Sequence, residues 1–244
     1  MFQPRYSLAF RLGMAMRRVK NWLIHHPIRY AKKRASGNEV ARYVKKGGLL
    51  RLNIGAQQNR PAGWLNVDIL PGLHGVYLDA TVMAAVPTDT FDAVLCEHMI
   101  EHVPALEGQA VMRSIYRILK PGGVARFVTP KLERLARTII DPQEDVEREI
   151  YLFRHEFNND AVGTKYPELT RLDYVNIMFR EWGHQYLYTR EDLADKLMAV
   201  GFSTIVDTKP NEVANKVFEN AQGHGKLLGY ELNDLNAFAL EVTK

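Results

Sequence analysis

The chain has 244 residues, 46% of them hydrophobic and 25% charged, which is enough apolar material for one substantial core and excludes disorder of the whole chain. Its single cysteine, Cys96, excludes an internal disulfide framework and any all-cysteine metal site. It therefore favours a reducing compartment. No apolar run is long enough to cross a bilayer, so we expect a cytoplasmic protein.

Basic residues are concentrated at the N-terminus. Residues 1–46 contain twelve Lys or Arg and one acid, Glu39, which gives a local charge of +11. Because the whole chain carries +4, residues 47–244 carry −7. This segregation predicts a basic N-terminal extension over residues 1–46 and a core domain over residues 47–244, with Gly47 and Gly48 at the boundary.

The extension has the pattern of a basic amphipathic helix. Over residues 7–23 apolar residues recur at helical spacing between basic ones, and residues 30–46 form a second basic segment with a short helix. Such an element would contact an anionic membrane surface peripherally or pack on a partner protein. The alternative is a helix that folds back onto the domain and closes its binding pocket.

After the boundary, short apolar runs alternate with helical stretches. Continuous apolar strands between helices indicate an α/β fold with a parallel sheet and helices on both faces. The last two strands are too far apart for a tight hairpin. The predicted strands cover residues 49–54, 64–69, 76–78, 91–96, 124–128, 202–206 and 236–242.

Three helical regions stand out. Residues 104–119 carry one apolar stripe and are followed by the stop signal Lys120-Pro121-Gly122-Gly123. Residues 131–183 are rich in charged and aromatic side chains and are predicted to form a mostly helical insertion. Thr189 is predicted to cap a helix that ends at Gly201.

Two residues mark the ends of the first two predicted strands. Gly55 follows the first strand and Asp68 ends the second. In an open parallel sheet a ligand binds beyond the carboxyl ends of the strands, where a glycine lets the backbone approach it and a carboxylate takes ribose hydroxyls. The alternative is a simple turn glycine and a capping aspartate.

Two motifs are more specific. Residues 91–102 read FDAVLCEHMIEH and residues 119–123 read LKPGG. Together with the segment from Gly55 to Asp68 and with Leu78-Asp79-Ala80, they resemble the class I S-adenosylmethionine-dependent methyltransferases of the type-11 group. The resemblance covers about residues 49–130. It implies a Rossmann-like, seven-stranded, mostly parallel sheet whose last strand is antiparallel.

The resemblance also implies a cofactor and its contacts. S-adenosylmethionine (SAM), or its product S-adenosylhomocysteine (SAH), would bind across the tips of strands one to four, within a methyltransferase domain over residues 47–244. The predicted contacts are Gly55 and Ala56 at the methionine part, Gln57 at its carboxylate, Asp68 at the ribose, Asp79 and Ala80 beside the adenine, and Glu97 near the transferable methyl group.

The chain departs from the family pattern in its first loop. Gln57 stands where the family places a second glycine, and its side chain would either crowd or bind the methionine carboxylate. The connection from Gly55 to Gly63 is also shorter than a helical crossover needs, so any helix there has one turn at most. The helix N-terminus that often binds such an anion would then be weakened.

Methyl transfer requires alignment of the acceptor with the methyl group, and a hydroxyl acceptor also requires a base. His98 is the first candidate for the base and His184 the second, with Glu97 beside them at the reaction centre. Glu101 and His102 are alternatively a capping cluster with no chemical role, and His102 is assigned to that structural role. No metal is expected, because the sequence has no HExxH motif or cysteine cluster.

The expected acceptor is a small molecule or a saccharide, with a glycan hydroxyl as one example. Two rival functions remain open: a non-catalytic binding or scaffold protein, suggested by Gln57, and a nucleic-acid methyltransferase, suggested by the basic extension. Nucleic acid is disfavoured, because the core is acidic and lacks the Asn/Asp-Pro-Pro-aromatic motif of base-modifying enzymes. A dehydrogenase is disfavoured by the absence of GxGxxG in the sequence after the first strand.

Overall fold

The protein is described from a computed structural model. The structure describes residues 29–72, 74–141, 146–155, 169–180 and 182–244. The amphipathic helix predicted over residues 7–23 lies outside the described residues. None of the described helices is long and apolar enough to span a membrane.

Seven strands form one sheet in the order β3-β2-β1-β4-β5-β7-β6. The first five strands pair in parallel, and β7 runs antiparallel to both β5 and β6. This confirms the predicted Rossmann-like sheet. The strands are β1 Arg51–Ile54, β2 Leu65–Asp68, β3 Val76–Tyr77, β4 Phe91–Glu97, β5 Leu119–Pro130, β6 Thr204–Thr208 and β7 Ala237–Thr243.

The fifth strand is longer than the predicted 124–128. It begins at Leu119, which pairs with Phe91, and the next paired residues are Val124 and Ala93. The stop signal at residues 120–123 is therefore an irregularity within β5, where Gly122 adopts a φ of +74°. The hydrophobic pattern could not show this, because the bulge interrupts its period.

Eight helices accompany the sheet in the described part of the chain. Helix α2 has Pro104 as its N-cap, and Thr189 caps α6 by accepting a hydrogen bond from the Asp192 N–H at 3.0 Å, as predicted. Leu106 belongs to the apolar stripe predicted over residues 104–119, but it is 77% exposed, so that part of the prediction is wrong. The helices are α1 over 29–45, α2 Ala105–Ile118, α3 Leu132–Ile140, α4 Glu147–His155, α5 Arg171–Arg180, α6 Arg190–Val200, α7 His224–Leu228 and α8 Tyr230–Asn236.

Helix α1 packs on the core and is longer than the short helix predicted there. Val40 is 1% exposed and belongs to the main apolar cluster, together with side chains of α2 and α6. The Tyr43 hydroxyl lies 2.8 Å from the Gly63 carbonyl oxygen and accepts a hydrogen bond from the Arg51 N–H at 3.1 Å. Residues 29–45 thus contact the sheet.

The connection between β6 and β7, residues 209–236, is a second insertion beside residues 131–183, and we call it the β6–β7 connection. Its Phe218 and Ala221 pack with Leu95 of β4, on the opposite face from Val94, which belongs to the main cluster. Its Leu228 and Leu232 join the apolar cluster of the first insertion. These contacts hold the connection against the carboxyl end of the sheet.

Candidate functional site

A cavity of about 710 Å³ opens at the carboxyl ends of β1 and β4. Its volume lies within the range of small-molecule and cofactor sites. Four segments meet there: the loop after β1, the end of β4 with the following turn, the first insertion, and the β6–β7 connection. The lining residues are Gly55, Ala56, Gln57, Gln58, Asn59, Glu97, His98, Glu101, His102, Pro130, Met178, Trp182, His184, Gly223, His224, Lys226, Leu227, Leu228 and Asn236.

The loop after β1 brings backbone to the cavity. Gly55 adopts a φ of +69°, and a Cβ added there would lie 2.5 Å from Cγ of Met99. Both the φ and the close approach of Met99 require glycine. Gln57 also has a positive φ, +36°, and its side chain is exposed. Residues 55–64 contain turns and no helix, which confirms that the connection is too short for a helical crossover.

Three of the predicted cofactor residues lie on the same sheet edge but outside the cavity lining. Asp68 accepts the Gln57 N–H at 3.1 Å through one carboxylate oxygen and the Leu70 N–H at 2.7 Å through the other. Asp79 accepts the N–H and hydroxyl of Thr81 at 3.0 and 2.6 Å, which makes it the cap of a turn. Ala80 follows it and is half-buried.

Glu97 joins two loops to the end of β4. Glu97 is only 8% exposed. One carboxylate oxygen accepts Nδ2 of Asn59 at 3.0 Å and the Gly223 N–H at 2.9 Å. The other accepts the His224 N–H at 3.2 Å, which leaves it room for a further donor. Glu97 thus fixes the start of α7 on the loop that follows β1.

His98 and Glu101 form a buried pair at the cavity wall. Nδ1 of His98 lies 3.1 Å from Oε1 of Glu101, whose Oε2 accepts the Thr129 hydroxyl at 3.1 Å. Nε2 of His98 is buried, and the Asn233 side chain is a hydrogen-bonding neighbour of the ring. His98 has a φ of +46°, a strained conformation of the kind that recurs at functional sites. The fold holds this ring in place despite the local cost.

The charge of the pair is set by two opposing effects. Burial disfavours the imidazolium, but the hydrogen bond and the charge of Glu101, with a contribution from Glu97, outweigh it and raise the pKa of His98. Burial likewise opposes ionisation of Glu101, but the hydrogen bond and charge of His98 outweigh it and lower the pKa of that carboxyl. Glu101 is therefore a carboxylate that stabilises a proton on His98.

Three further histidines reach the cavity. The Nδ1 atom of His184 is hydrogen-bonded to the Met178 carbonyl oxygen, and burial lowers the pKa of His184. The His102 ring contacts the His184 ring edge-on, with the ring centroids 5.0 Å apart. The His224 ring stacks on His98 with centroids 3.6 Å apart, and burial with the neighbouring imidazoles lowers the pKa of His224 to about 2. His184 and His224 are thus neutral near pH 7.

His224 was not predicted from the sequence. It lies in the β6–β7 connection, which has no strong hydrophobic period, and the one available signal is a histidine between two glycines, Gly223 and Gly225. The structure also brings ligand atoms of Glu101, His102 and His184 within 4.8 Å of one another, a spacing that suits a metal ion. Both Glu101 oxygens already have protein partners, which favours a hydrogen-bonded cluster.

A family model described as a methyltransferase domain matches residues 40–206. The chain belongs to this methyltransferase family. The match covers more than half of the chain and confirms the resemblance to SAM-dependent methyltransferases that the strand-end motifs predict.

Among curated proteins, the methyltransferase is similar to the ubiquinone biosynthesis O-methyltransferases of Xanthomonas oryzae pv. oryzae strains PXO99A and MAFF 311018. Each is 51% identical over 41 residues, which are 17% of this chain. The matched segment spans only 16% of each relative's length.

Solved structures similar to the methyltransferase include a SAM-dependent methyltransferase from Archaeoglobus fulgidus, with 16% identity, a TM-score of 0.45 and coverage of 88% of this chain and 93% of the other. Another is phosphoethanolamine N-methyltransferase 2 from Haemonchus contortus in complex with SAM, with 14% identity, a TM-score of 0.42 and coverage of 85% and 52%.

The residues of the methyltransferase fit SAM at three points. The backbone of the loop that begins at Gly55 lines the cavity. Each oxygen of Asp68 has one N–H partner, so lone pairs remain for the two hydroxyls of a ribose. Glu97 keeps an acceptor position for the ammonium group of the methionine part. Unused acceptor positions of Asp68 and Glu97 thus lie along one edge of the sheet.

Proposed function

We propose that this methyltransferase transfers the methyl group of SAM to a hydroxyl of a small-molecule or glycan acceptor, with His98 as the general base. The observation that carries the proposal is the His98–Glu101 pair in the cavity wall, where a buried carboxylate is hydrogen-bonded to Nδ1 of the histidine. A base needs a fixed ring and a group that stabilises its protonated form, and the hydrogen bond between Nδ1 of His98 and Glu101 supports both.

The roles within the pair follow from the hydrogen bond. When Nδ1 of His98 donates to Glu101, the neutral ring carries its lone pair on Nε2. Nε2 then accepts the acceptor's hydroxyl proton, and the buried carboxylate of Glu101 stabilises the imidazolium that forms. Stacking on neutral His224 holds the ring without adding a competing charge.

The cofactor-binding residues in this proposal are those of the strand ends. SAM supplies a methyl group on a positively charged sulfur, which leaves as a neutral thioether. The backbone of Gly55, Ala56 and Gln57 would bound its methionine part, and Glu97 would accept from its ammonium group. Asp68 would accept from the ribose hydroxyls, while Asp79 and Ala80 would bound the adenine.

His184 is the second candidate for the base. Its Nδ1 is taken by the Met178 carbonyl oxygen, so its lone pair is on Nε2, and burial keeps it neutral near pH 7. It lacks a carboxylate hydrogen-bonded to its ring among the described contacts, so an imidazolium formed there would be less stabilised than one on His98. This difference favours His98.

The acceptor side of the cavity combines polar and apolar groups. Met178, Trp182, Leu227 and Leu228 line it together with the histidines. Apolar faces suit the rings of a saccharide as well as those of an aromatic compound. The short similarity to curated O-methyltransferases supports oxygen as the acceptor atom.

Asp68→Asn is expected to weaken SAH binding by about tenfold to a hundredfold, the range for losing a charge-assisted hydrogen bond of about 1.5 to 3 kcal/mol. Isothermal titration calorimetry with SAH measures it. The matched control is Asp89→Asn, because Asp89 pairs with Lys244 at the other end of β4. A wild-type protein that binds neither SAM nor SAH at millimolar ligand would instead support the scaffold alternative.

The basic extension is proposed to add peripheral contact with an anionic membrane or a protein, in a cytoplasmic enzyme. Because α1 already packs on the core, removal of residues 1–28 is expected to leave SAH binding and the thermal midpoint unchanged. The same deletion should weaken co-sedimentation with phosphatidylserine vesicles, and added salt should weaken that of the full chain. Absence of vesicle binding by the full chain would contradict the membrane contact.

A further inference from the structure

The methionine part of SAM carries a carboxylate, and two common partners for it are missing in this loop. A helix N-terminus after the first strand would attract an anion, but no helix follows β1. The first backbone donors of the loop are already used: the Ala56 N–H donates to the Val67 carbonyl oxygen at 2.9 Å and the Gln57 N–H to Asp68 at 3.1 Å. Neither a helix N-terminus nor these two N–H groups therefore binds the carboxylate.

The nearest cation in the loop is also engaged. Nε of Arg60 donates to the Gln57 carbonyl oxygen at 3.0 Å, and its Nη2 donates to the Pro71 carbonyl oxygen at 3.0 Å. Arg60 thus ties the loops after β1 and β2 together, and it is not among the residues that line the cavity. Both of these hydrogen bonds of the Arg60 guanidinium go to backbone carbonyl oxygens.

Lys226 is the one lysine or arginine among the described residues that line the cavity. Its side chain is exposed, and no described residue forms a hydrogen bond or ion pair with it. Its backbone is nevertheless held in place, because α7 begins on the Glu97 carboxylate and ends at Leu228, which is 5% exposed. A held backbone with an uncommitted ammonium group suits a ligand contact.

Glu97 supplies the complementary charge. A free amino acid group carries an ammonium and a carboxylate on one carbon, so its site needs a negative and a positive group a short distance apart. Glu97 and Lys226 line the same cavity, and Glu97 is bonded to the first turn of the helix that carries Lys226. The cavity wall thus carries one group of each charge.

We propose that Lys226 binds the methionine carboxylate of SAM and so replaces the helix N-terminus that this chain lacks after β1. The inference rests on the proposed function, since it concerns the same cofactor site. It assigns to the β6–β7 connection a direct role in cofactor binding.

The test compares two ligands that differ in the amino acid part. SAH contains the carboxylate and the ammonium, whereas 5′-methylthioadenosine retains the adenosine and thioether and lacks both. We expect Lys226→Gln to weaken SAH binding about fivefold to tenfold. This loss lies between the contribution of an exposed ion pair and that of a charge-assisted hydrogen bond in a closed site. Binding of 5′-methylthioadenosine should not change, and Lys226→Arg should retain most of the SAH affinity.

Lys216→Gln is the matched control, because Lys216 is an exposed lysine of the same connection that does not line the cavity. Calorimetry on the full chain measures each binding constant, and thermal midpoints verify that the variants fold.

Unchanged SAH affinity in Lys226→Gln, or an equal loss for both ligands, would overturn the inference while leaving SAM binding intact. If wild type binds 5′-methylthioadenosine and SAH equally, the carboxylate has no partner and the inference is also wrong. Binding of neither ligand would refute the proposed function itself.

Discussion

His98→Ala is expected to lower kcat by about 10²- to 10⁴-fold, the range that a positioned general base contributes. The loss should appear in kcat more than in KM, because Nε2 acts on the proton that is transferred during the reaction. The affinity for SAH should stay close to that of wild type, since His98 is proposed to contact the methyl acceptor and not the cofactor. Steady-state kinetics with a purified acceptor and calorimetry with SAH separate these two effects.

The pH dependence gives an independent measure of the same role. The base must be neutral to accept a proton, so kcat/KM should rise with pH through the pKa of His98, which Glu101 raises. Glu101→Gln removes that charge, so the acid limb should shift to lower pH while the maximal rate falls. An unshifted limb in Glu101→Gln would show that the titrating group is another residue.

His74→Ala is the control for these variants, because His74 is an exposed histidine that does not line the cavity. It should leave kcat, KM and the pH profile unchanged. A double variant with His98→Ala and His184→Ala that keeps wild-type turnover would exclude both histidines as the required base.

Arg126→Met is expected to destabilise the protein by about 3 to 5 kcal/mol, as does the loss of one partner from a buried ion pair. Arg126 is 0% exposed, and its Nη1 donates to Oε1 of Glu241 at 2.6 Å. Methionine fills much of the same volume, so the unpaired Glu241 carboxylate causes most of the loss. Urea denaturation of the wild type and of Arg126→Met measures this difference in the free energy of unfolding.

The same substitution should also impair the cofactor site. Nη2 of Arg126 lies within 3.1 Å of the carbonyl oxygens of Lys209, Pro210 and Glu212 and of Oε1 of Gln222, and its two N–H groups are shared among them. One side chain thus contacts both ends of the segment 209–222. Without it, the backbone that leads to α7 loses its anchor on β5. We expect weaker SAH binding even under conditions where Arg126→Met remains folded.

Glu241→Gln is the companion variant. Glu241 also accepts the N–H groups of Ala214 and Asn215 at 3.0 and 2.7 Å, and a glutamine oxygen retains one of these contacts. It should therefore destabilise less than Arg126→Met. An Arg126→Met protein as stable as wild type would contradict the expected cost of an unpaired buried carboxylate.

Much of the fold follows from local pattern. The sequence patterns at Phe91–Glu97 and Leu65–Asp68 specify strands, because the first is a short, mostly apolar run and the second alternates apolar and polar residues. Parallel strands present their carboxyl ends at one edge, so the placement of Gly55, Glu97 and His98 on a common cavity was predictable. The helix cap at Thr189 was also predictable, because a capping threonine is recognised from the residues that follow it in the sequence.

The tertiary structure alone decided how the site is completed. Glu97 and Gly223 are 126 residues apart and form a hydrogen bond only because the β6–β7 connection packs on β4. The stacking of His224 on His98, the reach of Lys226 and the burial of Arg126 all depend on that packing. A polar connection without hydrophobic period carries no local signal of where it lies, since its position results from long-range contacts. The sequence determined the sheet and the residues at its strand ends; the packing of residues 209–236 decided what those residues meet.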